Sequence, residues 1–232
     1  MRTIGLIGGT SWHSTIVYYR LINELVGKKI GSQANPPLII YSLNIELMRE
    51  QDRNKIEHTY LHIARKLEIA GAKALIICAN TPHMVYEYVQ PKISIPILHI
   101  ADAVGEMAKK ENLRTLGLLG NRPTMTGGFI QKRLSEKFGI TTLIPDEDYI
   151  DISHEYVSKE LTQGKFTQTA RSFFIDQMQL LKEKGAEGII LGCTELPLLI
   201  EQQDFDLPLI PTTQLHAQMA ADFILRSSMA SH

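Results

Sequence analysis

Two cysteines are all that the 232 residues contain, so a disulfide framework is excluded and reduced thiols in a reducing compartment are expected. No Cys-x-x-Cys occurs and the eight histidines are scattered, which leaves no metal-ligand spacing and no metal expected. Charge of one sign is missing as well. A net charge of -1 gives no electrostatic reason to expect nucleic acid or an anionic membrane as partner. No apolar run approaches the roughly 20 residues that span a bilayer. The chain enters a strand at Thr3 without signal-peptide architecture, so a cytoplasmic protein is the expectation. Nucleotide fingerprints are lacking too: the early glycines fit neither Gly-x-Gly-x-x-Gly nor a Walker motif with its lysine.

What is present is an alternation of short apolar runs and helical patterns. Strands are expected at 3–7, 38–42, 74–77, 95–98, 115–119, 188–191 and 207–210, with a weak one at 143–144. Between them, helical spacing predicts helices from Ser14, over 56–70, 102–110, 126–138, 146–162, 168–184 and 212–226. Alternating elements of this kind argue for an α/β protein with parallel sheets and helices on both faces.

The turns after these strands hold the candidate chemistry, because ligands of open α/β sheets sit outside the strand carboxyl ends. Gly8-Gly9-Thr10-Ser11 offers hydroxyls and backbone amides suited to an anion, or is a plain tight connection. The polar stretch 44–54 carries Arg49, Gln51, Asp52 and Arg53 towards the same strand end. Asn80 and Thr81 read as caps and Pro82 as a first helical residue, with His83 a helix residue or an acid–base group. Gly192-Cys193-Thr194-Glu195 sits where a buried strand hands over to a short helix. Cys193 there is either a small buried hydrophobe or a thiol whose pKa the helix amides lower.

The chain also repeats itself. Segment 2–8 matches 114–120, segment 71–79 matches 185–193, and segment 94–98 matches 206–210, in the same order and at nearly one offset. Two pseudo-symmetric lobes are therefore expected, 1–100 with 212–232 and 101–211, with the active site in the cleft between them. The repeat pairs Cys193 with Ala79. Cys78, one residue earlier in an extended strand, is expected to point to the other face.

These residues together resemble the cofactor-independent aspartate/glutamate racemase family. The resemblance covers essentially the whole chain: Gly8-Gly9-Thr10-Ser11-Trp12 with Ser14-Thr15, then Asn80-Thr81-Pro82-His83, Thr124-Met125 and Gly192-Cys193-Thr194-Glu195. It implies a two-lobed, often dimeric isomerase that inverts an amino-acid α-carbon without pyridoxal phosphate or another cofactor. It implies two cysteines, each serving one face of that carbon, of which this chain keeps Cys193 and has Ala79 in place of the other. Thr10, Asn80, Thr81, Thr124 and Thr194 match positions that hold the α-carboxylate and amino group. Gln51 falls in the side-chain-reading segment, Arg49 and Lys165 are the cations considered for a side-chain carboxylate, and Glu195 orients Cys193, receives the amine or caps the helix.

Three functions follow from this pattern. One is a racemase of aspartate or glutamate, weak or one-directional for want of the second thiol. Another is a single-thiol lyase or decarboxylase of the same fold, and the third is an amino-acid binding protein without catalysis.

Overall fold

A computed structural model describes residues 1–226 of the chain and divides it into two units. The first comprises Met1–His99 together with the described chain from His216 onward, and the second Ile100–Leu215. Residues 227–232, the end of the segment 212–232 expected in the first lobe, lie outside the described residues.

In the first unit, β1 (Ile4–Gly8) lies between β2 (Leu38–Ser42) and β3 (Ala74–Ile77), all parallel. Parallel neighbours require crossovers, and the helices Trp12–Ile30 and Arg53–Ile69 supply them. Period-two alternation splits the side chains of β3 between two cores. Leu75 and Ile77 join Ile56, Tyr60, Ile63 and Leu67 of the helix Arg53–Ile69, whereas Ala74, Ile76 and Cys78 join Tyr18, Ile22 and Val26 with Ala217, Ala220, Ala221 and Ile224. The strand expected at 95–98 is reduced to one parallel rung, Leu75 to Ile97. Leu75 N–H donates to the Pro96 carbonyl and Leu98 N–H to the Leu75 carbonyl, both at 2.8 Å, before the chain enters the helix Ile100–Lys110.

The second unit has four parallel strands in the order β5-β4-β6-β7: β4 (Thr115–Leu119), β5 (Thr141–Leu143), β6 (Gly188–Leu191) and β7 (Leu209–Pro211). Leu119, Ile189 and Leu191 face Phe174, Met178 and Leu181 of the helix Gln168–Glu183. Leu116, Leu118 and Ile190 face Ala101, Val104 and Leu134. Asp102 ties Ile100–Lys110 to Phe129–Phe138 through Arg133 at 2.6 Å and Lys137 at 2.8 Å. A buried carboxylate is tolerated when it is paired this way.

Several element limits differ from expectation. The first helix starts at Trp12, since the Ser11 hydroxyl caps it by accepting from Ser14 N–H. The stretch 44–54 contains a short helix, Glu46–Arg49. The helix expected at 126–138 is two, Arg122–Thr126 and Phe129–Phe138, parted by Gly127 and a left-handed Gly128 at φ 74°. The helix expected at 146–162 runs as α-helix over Glu147–Glu155, widens to a π turn at Tyr156–Glu160, and tightens to a 3-10 turn at Leu161–Gln163.

The internal repeat is visible in how strands meet helices. A Cβ on Gly5 of β1 would lie 2.6 Å from Leu75 Cδ2 and 3.2 Å from Leu67. One on Gly117 of β4 would lie 2.8 Å from Ile189 and 3.0 Å from Leu181. These are matching positions of the repeat, where a central strand must let its covering helix approach. Gly5→Ala is therefore expected to lower stability by about 1–3 kcal/mol through overpacking, read as a drop in thermal midpoint. An unchanged midpoint would show that the helix gives way freely.

Candidate active site

The first unit brings two turns together at the carboxyl ends of β1 and β3. After β1, Gly9 takes φ 91°, and a Cβ there would lie 2.0 Å from the Leu43 carbonyl oxygen, so only glycine fits. Gly9 N–H donates to Thr15 Oγ1 at 3.0 Å, and the Thr15 hydroxyl donates to the Ser11 carbonyl at 3.0 Å. Thr10 Oγ1 lies 2.8 Å from the Tyr60 hydroxyl, whose pKa burial raises, so the phenol stays protonated. The Ser14 hydroxyl donates to the Cys78 carbonyl at 2.7 Å and joins the two turns.

After β3, the expected capping role of Asn80 is not found. Asn80 has helical angles and makes no side-chain cap bond, and the chain continues as a 3-10 helix, Thr81–Val85. Its side chain is buried instead, and Oδ1 has no partner. A buried acceptor left unmade costs roughly 1–3 kcal/mol. Ala79 is half-buried and Thr81 likewise.

The second unit mirrors this with the turns after β4 and β6. Asn121 caps the helix Arg122–Thr126, its side chain accepting from Thr124 N–H at 2.9 Å. Gly192 N–H donates to the Leu119 carbonyl at 2.7 Å, and a Cβ on Gly192 would lie 3.2 Å from the Thr124 methyl. Thr124 is thereby packed against the strand that delivers Cys193, and half-buried Thr194 and Glu195 follow.

Cys193 S–H donates to Glu195 Oε2 at 3.0 Å. Burial pushes this thiol well above its ordinary range, and the Glu195 charge and hydrogen bond add to the rise. The Glu195 and Leu196 amides pull it down, but less. Of the two sequence alternatives, the amides do lower the Cys193 pKa as expected, but its net shift is upward: the helix that follows is only Leu196–Leu199, and desolvation outweighs those amides.

Cys78 does point away from this turn face. It is buried among Ile4, Leu6 and Tyr18, and burial raises its pKa. His83 is fully buried with Nδ1 engaged by the backbone, so it cannot reach a ligand as an acid. Gln51 is exposed with φ 55° between Glu46–Arg49 and the cap residue Asp52. Arg49 pairs with Glu46 at 2.5 Å. Lys165 is exposed and follows left-handed Gly164 at φ 72°. Sequence reasoning missed Tyr60, because a core aromatic carries no signal for the polar atom it lends to a distant turn, and it named Ser14 without the bond to the Cys78 carbonyl. It also missed a cavity of about 370 Å³ in the first unit beside Ser42, Asn44, Glu50, Lys55 and Thr59. Among the described residues, no three His, Cys, Asp or Glu side chains could hold a metal ion, and no helix is long and apolar enough to cross a membrane.

Residues 7–220 match the family described as Asp/Glu/Hydantoin racemase. The chain is 23% identical over 219 residues to the broad specificity amino-acid racemase RacX of Bacillus subtilis (strain 168), covering 90% of this chain and 92% of that one. It superposes with a TM-score of 0.92 at 37% identity on a Yersinia pestis protein provisionally assigned as an Asp/Glu racemase, covering 97% of this chain and 100% of that chain. An aspartate racemase homologue from Pyrococcus horikoshii OT3 gives 0.85 at 32% identity, covering 97% and 99%.

Two outcomes follow from the thiols. With the Glu195 charge removed, Glu195→Gln should let iodoacetamide alkylate Cys193 severalfold faster at one pH; an equal or slower rate would mean the carboxylate does not hold the proton on sulfur. Both folded thiols bind their proton more tightly than in the unfolded chain. Stability should therefore fall as pH rises beyond the ordinary thiol value of about 8.5, and Cys78→Ala should flatten that alkaline decline in thermal midpoint.

Proposed function

The chain belongs to the Asp/Glu/hydantoin racemase family, and from that premise we propose that it inverts a small acidic amino acid, aspartate or glutamate, with Cys193 as the base. Racemases are isomerases acting on amino acids, and the chain is read as one. The observation that carries the cysteine assignment is the Cys193–Glu195 pair, a buried thiol whose S–H is held 3.0 Å from a carboxylate. An arriving substrate ammonium beside Glu195 offsets the charge that keeps the proton on sulfur, so that on binding the thiol releases its proton to solvent and becomes the thiolate.

The thiolate takes the α-proton and becomes a thiol, and the electron pair of the C–H bond spreads from the α-carbon onto the substrate carboxylate. Backbone amides and hydroxyls at Thr10, Thr124 and Thr194 are assigned to that carboxylate, and the Asn80 amide oxygen to the ammonium. Delivery of a proton to the opposite face is the step this chain equips poorly. Ala79 has no transferable proton, and Cys78 and His83 are buried in their own packing. The Thr81 hydroxyl and water remain as donors, both weak acids near neutrality. Slow or one-directional turnover is the consequence.

Gln51 and Lys165 are assigned to the side-chain carboxylate of the substrate. The reading further includes turnover without pyridoxal phosphate, a homodimer, which sedimentation checks, and a cytoplasmic setting.

Proton exchange in deuterated water tests the reaction. Deuterium should enter L-aspartate or L-glutamate with partial inversion, and Cys193→Ser should abolish it. Ala79→Cys should raise inversion at least about tenfold, since a thiol replaces a far weaker acid. Exchange with retention alone would favour a single-thiol lyase or decarboxylase, and binding without exchange an amino-acid binding protein. Undiminished exchange in Cys193→Ser would remove the thiol from the mechanism.

A further inference from the structure

Four residues beyond Ala79, the chain places an imidazole in the interior of the first unit. His83 is fully buried, with Nδ1 2.9 Å from the Ala79 carbonyl oxygen and 3.2 Å from that of Asn80. Carbonyl oxygens only accept, so Nδ1 carries the hydrogen and donates it. In the neutral ring that leaves Nε2 a bare acceptor, and Nε2 is buried without a partner. The alternative tautomer would set a lone pair against two carbonyl oxygens.

The surroundings hold the ring in that orientation. His99 packs edge-on at 4.7 Å between centroids and His216 at 5.3 Å. His216 is itself fixed: Nε2 lies 2.7 Å from the Leu98 carbonyl and so donates, while Nδ1 accepts from the Tyr18 hydroxyl at 2.9 Å. Tyr86 packs edge-on against His99 at 4.9 Å. Burial and both neighbouring imidazoles hold His83 well below its ordinary pKa, hence neutral.

We propose that His83 is the positioning residue of the substrate turn: its Nδ1–H grips the Ala79 and Asn80 carbonyls and so fixes where the Asn80 side chain and the Ala79 Cβ point. The inference rests on reading that turn as substrate-binding. A peptide plane held at its carbonyl cannot rotate, and Asn80 then keeps its amide aimed without a cap bond of its own. The imidazole acts through backbone and touches no reacting atom.

Asn and Gln separate this role from space filling. The Asn amide nitrogen falls near the place of Nδ1, whereas the longer Gln reaches towards that of Nε2 and fills the volume better. His83→Asn should keep KM for the amino acid within about twofold, while His83→Gln and His83→Leu should raise it roughly tenfold, the worth of one hydrogen bond. Alkylation of Cys193 should be the same in all three. Gln performing as well as Asn, or KM tracking the thermal midpoint across the series, would reduce His83 to a packing residue. Backbone amide exchange over 79–83 gives a readout free of catalysis, slow in Asn and fast in Gln. If wild type catalyses nothing, the racemase reading fails while this comparison still decides the positioning claim. Nitrogen-15 shifts of wild-type His83 decide it without any variant: protonation at Nδ1 is expected, and at Nε2 would overturn it.

Discussion

The chemistry of each unit depends on backbone passing backbone with no room for a side chain between. Gly9 runs against the Leu43 main chain after β1, and Gly192, after β6, against the carbonyl of Leu119 at the end of β4. Parallel strands end in step, so the turns that leave them crowd one edge of the sheet. Where a turn carries no Cβ, its amides and the hydroxyls that follow can converge within reach of one small ligand. Thr10, Thr15 and Ser14 in one unit and Thr124 in the other are held by that crowding.

Repetition of the fold does not extend to the chemistry. Reading 79–83 against 193–197 along the repeat sets Ala79 beside Cys193, Asn80 beside Thr194, Thr81 beside Glu195 and His83 beside Pro197. The second unit thus has a thiol and a carboxylate where the first has a methyl group and a hydroxyl. The first has an imidazole bonded to the carbonyls of its own turn where the second has a proline, and there the Cys193 carbonyl accepts from the Leu196 N–H instead. One turn carries a buried thiol held protonated beside a carboxylate, and the other carries the imidazole bonded to its own carbonyls.

Much of this fold was legible in the sequence because buried parallel strands are continuous apolar runs, and 74–77 and 188–191 read as nothing else. The alternation that sends Cys78 into the core with Ala74 and Ile76 also followed from period two alone. What escaped was set by tertiary contact. The π turn at Tyr156–Glu160 has no propensity signature, and the break at Gly127-Gly128 was hidden inside an otherwise helical pattern. The Cys193 pKa was argued from the nearest amides, while burial and a carboxylate two residues on decide its direction. The buried imidazoles at positions 83, 99 and 216 are far apart in sequence, so no spacing rule could join them.

The first unit is not contiguous along the chain: its core includes Ala217, Ala220, Ala221 and Ile224 of the helix Thr212–Leu225. During synthesis β1 and β3 emerge early with Tyr18, Ile22 and Val26 of the helix Trp12–Ile30, but the apolar face they share is only partly covered until Ala217 to Ile224 have been made. The intervening segment, by contrast, has all its strands and both its cores before that helix is complete. Vectorial synthesis therefore lets the later segment complete its cores before the early sheet receives its last covering helix.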